Sequence, residues 1–458
     1  MEATSGKEYA LATKKISAIV WDYALPAIVG MLVNALYNIV DRVFIGHGVG
    51  AMAISGLAIT LPVVNLTSSL GLLVGTGASS RISINLGKKD KKRAEQILGN
   101  SLLLLIIFNI IIVLVFLLNL KSILFAFGAS EQTYPYARDY LQIVISGNFF
   151  MSMCFSFNNM MRASGYPQKA MYTMLIGAGL NVVLDPIFIF VFGMGIRGVA
   201  VATVISMFIG MMFVMHHFRQ KDSLIQLKRE NIRFNKSIIL AIVTIGMSPF
   251  LMQVAASIVA VLMNASLWRY GGDLAVGAFG IYNSLAMLVV LVVIGLNQGM
   301  QPIIGYNYGA QNYGRVRKTL SYGIKVATVI TSMGFLLGLF FPRLIAKAFT
   351  SDKQLLDIAE QAIRLATLSY PIIGMQIVAS HYFQSIGQAQ KSIILSLSRQ
   401  VLFLIPAIWL LPKFFALKGL WLASPVADVI STLLAFYFLR MQWHTLHQME
   451  QRSAMKRR

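Results

Sequence analysis

Apolar runs about twenty residues long recur along the whole of this 458-residue chain. An α-helix of about that length crosses a hydrocarbon core of about 30 Å, and a helix satisfies its own backbone polar groups there. Hydrophobic residues make up 57% of the sequence and charged residues only 12%, whereas soluble domains carry about 25% charged residues. We therefore predict an all-α integral membrane protein with twelve transmembrane helices, and we exclude a soluble multidomain protein.

Basic residues outnumber acidic ones, with 39 Lys and Arg against 17 Asp and Glu. They concentrate in alternate loops, which share one side of a membrane: 88–93, 162–169, 219–236, 315–318 and 452–458. By the positive-inside rule this side is the cytoplasm. We predict a multi-pass protein of the cell inner membrane with both termini cytoplasmic, whose positive charge faces membrane lipids and not nucleic acid.

The sequence offers little support for a metal, a disulfide or a nucleotide site. Cys154 is the single cysteine, and the six histidines lack the spacing of metal ligands. Gly75-Thr76-Gly77 is not a phosphate loop, because Gly-Lys-Ser/Thr does not follow it and no strand precedes it. We expect no cofactor, no structural metal and no obligatory protein partner.

The second half of the chain repeats the first. The triplet that begins at Asn85 reappears at Asn307, 222 residues later, and Pro26 matches Pro249 at a spacing of 223. A duplicated unit of six spans enters the membrane from the same side twice, so the two lobes are related by a pseudo-twofold axis along the membrane normal. We predict an N-terminal six-helix lobe at 1–218, a cytoplasmic linker loop at 219–236, a C-terminal six-helix lobe at 237–441 and a basic cytoplasmic tail at 442–458.

Carboxylates are few inside the predicted spans, where a charge costs about 2.5–3.5 kcal/mol on insertion scales, and two of them fall in the first half of the chain. Asp41 is in the first span and Asp185 is in the fifth. Asn181 is four residues before Asp185, so the two share one helix face. Pro186 has no N–H, which leaves the carbonyl of Val182 without its helical partner. Together these groups predict an oxygen-lined pocket that water can reach.

The duplication shows that the acids belong to one half only. Asp41 corresponds to Asn264, and Asp185 corresponds to Ala407. This asymmetry favours a site for H⁺ or Na⁺, although Asp185 paired with a neighbouring helix and Asp41 near an interface would also explain it. Asp428, in the twelfth span, is a possible secondary acid.

Aromatic and sulfur-bearing residues crowd the fourth span. Such side chains can repack around varied apolar cations, and they suit a lipid-facing helix equally well. The possible substrate contacts are Phe150, Met153, Phe157 and Met161.

The chain resembles the MATE (multidrug and toxic compound extrusion) family over nearly its full length. The resemblance rests on Pro26, Tyr37 and Asp41, the Asn85-Leu86-Gly87 turn, Arg162-Ala163-Ser164-Gly165, and Asn181 to Pro186 followed by Thr203. Within the family it looks most like the DinF-related branch and its MepA-type exporters. The resemblance implies export of hydrophobic organic cations by H⁺- or Na⁺-coupled antiport with alternating access.

The resemblance also assigns roles to particular residues. The positions that match the family's cation site are Asp41, Asn181, Asp185 and Thr203. Pro26 would be the point where the first helix bends, and Tyr37 would join the polar network.

Two other functions remain as alternatives. A lipid-linked saccharide flippase of the related polysaccharide-exporter superfamily shares the twelve-span layout, but it should carry cationic residues inside its spans. An integral membrane enzyme would need catalytic groups clustered at one membrane depth, and the scattered histidines do not supply them. The sequence does not choose between H⁺ and Na⁺.

Overall fold

The computed structural model describes residues 6–457, apart from the side chains of 7, 51, 454, 456 and 457. Residues 1–5 and 458, the outer ends of the predicted first lobe and basic tail, lie outside the described residues. Every secondary-structure element of the described part is helical.

The α-helices are, in chain order, α1 (Gly6–Thr13), α2 (Ile16–Gly48), α3 (Ala51–Gly87), α4 (Lys91–Leu118), α5 (Leu120–Ala126), α6 (Tyr134–Ser146), α7 (Asn148–Ala163), α8 (Pro167–Pro186), α9 (Ile196–Arg219), α10 (Lys236–Gly309), α11 (Tyr313–Phe340), α12 (Pro342–Lys347), α13 (Lys353–Ala366), α14 (Tyr370–Ser385), α15 (Ala389–Leu397) and α16 (Ile405–Arg457). Two π-helical segments, Ile187–Val191 and Ser398–Leu404, and one short 3₁₀ turn, Arg229–Asn231, complete the described elements.

Twelve membrane spans follow from these helices. Eight stretches are long and apolar enough to cross a membrane, and the bent pairs α6–α7 and α13–α14 supply one span each. Two of the eight break at a residue with positive φ, Gly272 (65°) in α10 and Ala416 (47°) in α16. Dividing both at the break gives twelve spans in the described part of the chain, so the predicted all-α fold with twelve transmembrane helices is confirmed.

Contacts divide the chain into two compact units. The first contains Leu25–Phe250 with the beginning of the chain up to Ala12, and the second contains Thr13–Ala24 with Leu251–Arg458. The chain therefore changes unit inside α2 and again inside α10. Both changes fall beside a proline, Pro26 in α2 and Pro249 in α10, where a helix lacks one backbone hydrogen bond.

Equivalent contacts inside the two units support the sequence duplication. The Lys169 ammonium lies 3.4 Å from the Gln220 side-chain oxygen, and the Lys391 ammonium lies 3.4 Å from that of Gln442. Each residue of the first pair precedes its equivalent by 222 residues. The bent pairs α6–α7 and α13–α14 also hold equivalent places, with bends of 53° and 57°.

The segment 219–236, which we call the docked loop, packs on the first unit. Glu95 of α4 is buried, accepts hydrogen bonds from the Gln226 backbone (3.2 Å) and the Asn231 amide (3.4 Å), and pairs with Lys228 at 3.0 Å. The hydrogen bond to Glu95 and its charge raise the pKa of Lys228. The predicted linker loop is thus held on α4, because a buried carboxylate needs these donors.

The predicted tail at 442–458 continues α16 as helix to Arg457. It contacts α11, where Arg317 pairs with Glu450 at 3.5 Å and lies 3.4 Å from the His447 ring. The Glu450 carboxylate thus offsets part of the basic charge on this face, and the tail is held against α11.

Candidate functional site

Two polar residues of α8 form the centre of the site. Asn181 and Asp185 are 1% and 0% exposed, and helical periodicity puts them on one face. Gly177 is buried one turn earlier on this face, and a Cβ built there meets no heavy atom within 4 Å. The face therefore borders unfilled space.

A third polar residue, Thr203, comes from α9, which packs along α8. The Asn181 amide nitrogen donates to the Thr203 hydroxyl at 3.4 Å and lies 3.5 Å from one oxygen of Asp185. The Thr203 hydroxyl donates in turn to the carbonyl of Val199 at 2.9 Å. These bonds fix the Asn181 amide, so that its oxygen faces away from both partners.

Asp41 of α2 completes the group, because its carboxyl lies within hydrogen-bonding range of that of Asp185. Two carboxylates are both acceptors, so this contact becomes a hydrogen bond only when one of them carries a proton. One buried oxygen each of Asp41, Asn181 and Asp185 accepts no hydrogen bond from any described residue. The predicted cation-coupling residues therefore come together, and they leave three oxygens without a donor.

The surroundings of Asp41 are aromatic on one side and open on the other. Tyr37 and Tyr140 both lie within electrostatic range of Asp41 and Asp185. Tyr37 was predicted, whereas Tyr140 of α6 was not. Its signal was the spacing of four from Tyr136, which puts two phenols on one face. Arg42 is exposed, in keeping with a side chain that extends away from the buried carboxyl.

Pro26 lies in the same helix as Asp41, near its beginning. It is buried, and without an N–H it cannot bond to the carbonyl of Asp22. α2 can therefore bend here with the loss of fewer backbone bonds than elsewhere.

The arrangement suits a small cation or a proton. Two carboxylates, one amide oxygen and one hydroxyl are the hard oxygen donors that alkali and alkaline-earth cations prefer. A proton shared between the carboxyls would satisfy the same oxygens. Among the described residues, no three His, Cys, Asp or Glu side chains are grouped so as to hold a metal.

Three of the four possible substrate contacts on α7 are fully packed. Met153, Phe157 and Met161 are at most 1% exposed, and the Phe157 ring meets that of Phe218 at 5.6 Å between centroids. α7 is amphipathic and packs against α3 and α9, so these side chains lie between helices, and their role as substrate contacts stays a prediction. Phe150 is half-buried and meets Phe208 at 5.1 Å.

Asp428, the possible secondary acid, lies in the second unit and has its own partners. Its two oxygens accept from Arg399 Nε and from the Ser369 hydroxyl, each at 2.6 Å. The sequence analysis missed Arg399, a cation inside an apolar span. Its signal was its position in an otherwise uncharged stretch between Lys391 and Lys413.

A family model, curated relatives and solved structures all match this chain. The model of a family described as MatE matches this chain twice, over residues 26–187 and 249–410. The two matches begin at Pro26 and Pro249, the repeated prolines.

A curated relative and two solved structures extend over most of the chain. The multidrug export protein MepA of Staphylococcus haemolyticus (strain JCSC1435) is 27% identical over 417 residues, which are 91% of this chain and 92% of that protein. The structure of a multidrug resistance MATE family transporter of the MOP superfamily in an outward-facing conformation is 25% identical, with a TM-score of 0.91, and covers 97% of this chain and 99% of that one. A MATE in the bent conformation is 25% identical with a TM-score of 0.92, over 98% of this chain and 100% of that one.

Proposed function

Because the chain belongs to the MatE family, we propose that it exports hydrophobic organic cations and drugs by cation-coupled antiport with alternating access. The relatives that resemble it over most of their length are multidrug exporters, and the chain itself is a multi-pass membrane transporter. Its place is the cell inner membrane, with both termini cytoplasmic because the basic loops lie on that side.

The observation that supports ion coupling is the set of three unsatisfied oxygens on Asp41, Asn181 and Asp185. A buried polar atom without a partner costs free energy, so the group gains by taking up a proton or a cation. Antiport needs such a group, which binds the driving ion in one state and releases it in another. Substrate affinity then changes with the occupancy of this site.

The flippase alternative predicts cationic residues inside the spans, where they would hold a pyrophosphate. Arg399 is a cation in that region, but Asp428 balances its charge at 2.6 Å. No observation therefore favours a lipid-linked pyrophosphate as cargo over an organic cation.

The first test is ethidium efflux in a bacterium that lacks its own pumps. We expect cells that produce the wild-type chain to accumulate several times less dye than cells with an empty vector. Unchanged accumulation, with the protein present in the membrane, would overturn the export proposal.

The second test addresses coupling in inverted vesicles, driven separately by a proton gradient and by a Na⁺ gradient. Asp41→Asn and Asp185→Asn keep the side-chain volume and remove the charge, so each should reduce gradient-driven export to the level seen without a gradient. Asn264→Ala, at the duplicated position, is the control and should retain export. Coupling in both Asp variants, or an equal loss in the control, would refute this assignment.

A third variant, Thr203→Val, separates the two driving ions. Valine has the shape of threonine without the hydroxyl oxygen. If Na⁺ is the driving ion, the loss of one neutral oxygen ligand should raise the Na⁺ concentration for half-maximal export about fivefold. Proton-driven export needs only the carboxyls, so it should change much less. A similar loss under both gradients would argue that Thr203 acts through Asn181 instead.

A further inference from the structure

The second unit contains a buried charged pair that the proposed cation site does not use. We propose that Arg399 and Asp428 form a second binding site, which takes the carboxylate of an amphiphilic zwitterion. This goes beyond the proposed cation site, because it assigns a ligand to the buried charged pair of the second unit. Binding at this site does not depend on ion coupling.

Within the pair, Asp428 is more deeply buried and has more hydrogen-bond partners than Arg399. Asp428 has a side-chain exposure of 2%, and its two oxygens accept from Arg399 Nε and from Ser369. Arg399 has a side-chain exposure of 25%. Its only hydrogen bond to a described residue comes from Nε. Its two amino groups therefore have no hydrogen-bond partner among the described residues.

The available part of the guanidinium is the part that recognises carboxylates. Two parallel N–H groups bind a carboxylate in a two-pronged manner, which is the strong and specific form of this contact. A purely structural pair gains most when the arginine turns this edge to its own acid. Arg399 instead contacts Asp428 through Nε and leaves its outer edge uncovered.

The backbone beneath Arg399 is also unusual. Arg399 is the second residue of the π-helical segment Ser398–Leu404, and π-helical turns in α-helices occur frequently at functional sites. Tyr282 and Tyr370 lie within electrostatic range of both charges. Their buried phenol groups place further polar atoms near the pair.

The duplication separates this pair from the shared architecture of the two units. At the offset of 222 residues, Arg399 corresponds to Gly177 and Asp428 corresponds to Ser206. Gly177 lies on the face of α8 that carries Asn181 and Asp185. A place that borders acids in the first unit is thus occupied by an arginine in the second. If a charged pair were needed to hold the six-helix unit together, the first unit would need one there too.

Asp428 and the ligand compete for the same positive charge. With Asp428 ionised, Arg399 is neutralised and attracts a second carboxylate weakly. Removal of the Asp428 charge leaves Arg399 with its full attraction for the ligand. The two residues therefore have opposite effects on binding, which a pair with only a structural role does not have.

The test uses tetramethylrhodamine, whose free carboxylate makes it a zwitterion, and its methyl ester, a cation of nearly the same shape. Their binding to the full-length protein in lipid nanodiscs is measured by fluorescence anisotropy without any ion gradient. Arg399→Gln should weaken binding of the zwitterion at least about tenfold, since a charge-assisted contact is lost, and should leave the ester unchanged. Asp428→Asn should strengthen binding of the zwitterion about fivefold.

Equal changes for both dyes, or no change for the zwitterion in either variant, would overturn the proposal. A single substitution could unfold the unit, because it leaves one charge buried alone. The double variant Arg399→Gln/Asp428→Asn removes both charges and keeps a hydrogen-bonding partner for Ser369. It should lose the preference for the zwitterion over the ester, and a preference equal to that of wild type would refute the site. Because no export is measured, failure here is distinct from failure of the proposed antiport.

Discussion

Replacement of Gly246 with alanine puts a methyl group into a helix crossing that has no room for one. α10 crosses α3 within the first unit, and a Cβ built on Gly246 lies 1.9 Å from the carbonyl oxygen of Leu73 and 2.6 Å from its carbonyl carbon. Gly77 of α3 is the reciprocal contact, with a Cβ 2.1 Å from the carbonyl oxygen of Ile242. Both obstacles are backbone atoms, which a side-chain rotation cannot move.

The expected loss of stability follows from how far α3 and α10 must move apart to admit the methyl group. Ordinary contact of a Cβ begins near 3.4 Å, so the backbones must part by about 1 Å or more at the crossing. Overpacking of a core costs about 1–3 kcal/mol, and parted helices also lose dispersion contacts along the interface. We expect a loss of about 3 kcal/mol, which for a unit of this size is a fall in Tm of about 6 °C or more.

The assay is thermal unfolding in detergent, followed by the amount of protein that remains monodisperse. Gly179→Ala is the matched control, since its Cβ meets no heavy atom within 4 Å and alanine stabilises a helix by about 1 kcal/mol relative to glycine. The double variant Gly77→Ala/Gly246→Ala should lose less than the sum of the single losses, because one separation relieves both clashes. A Tm for Gly246→Ala equal to that of the control would refute the packing argument.

Two further predictions concern the docked loop and the bend in α2. Glu95→Gln removes the charge that holds Lys228, so tryptic cleavage of the docked loop should become about fivefold faster, which corresponds to about 1 kcal/mol of local stability. The control is Glu131→Gln, at an exposed position. Equal cleavage rates in the two variants would contradict the role of Glu95. Pro26→Ala restores an N–H that can donate to the carbonyl of Asp22, so it should stabilise α2 by up to about 3 kcal/mol. The same variant should slow ethidium export. Faster export with unchanged stability would show that the bend is not needed.

The spans could be predicted because a bilayer makes length and hydropathy sufficient. A segment of about twenty apolar residues has few alternatives in lipid, so even α10, with its break at Gly272, could be divided correctly from the sequence. The grouping of Asn181 with Asp185 follows from helical spacing alone. The approach of Asp41 and Thr203 does not follow from spacing, because it depends on how α2 and α9 lie against α8.

What the sequence does not show shares a cause, which is pairing between distant residues. The sequence predicts a cytoplasmic linker at 219–236, but it does not show the contact with Glu95 that holds this loop. It gives Met153 and Phe157 as possible substrate contacts, but periodicity gives a face and not the neighbour that covers it. In the sequence Arg399 looks like an isolated charge, and only the structure shows its contact with Asp428, 29 positions away.

The two units differ in how their buried carboxylates are compensated, and this difference bears on how a duplicated protein acquires two kinds of site. Equivalent lysine–glutamine contacts, 3.4 Å in each unit, indicate that the duplicated helices kept their packing. Buried charges are costly in lipid, so each unit can change them only where a partner or a ligand compensates. In the first unit no described residue forms an ion pair with Asp41 or Asp185, and one oxygen of each accepts no hydrogen bond there, which suits the ion that we propose. In the second unit Asp428 has Arg399, which leaves the outer edge of the guanidinium, and therefore a carboxylate, as the complementary ligand.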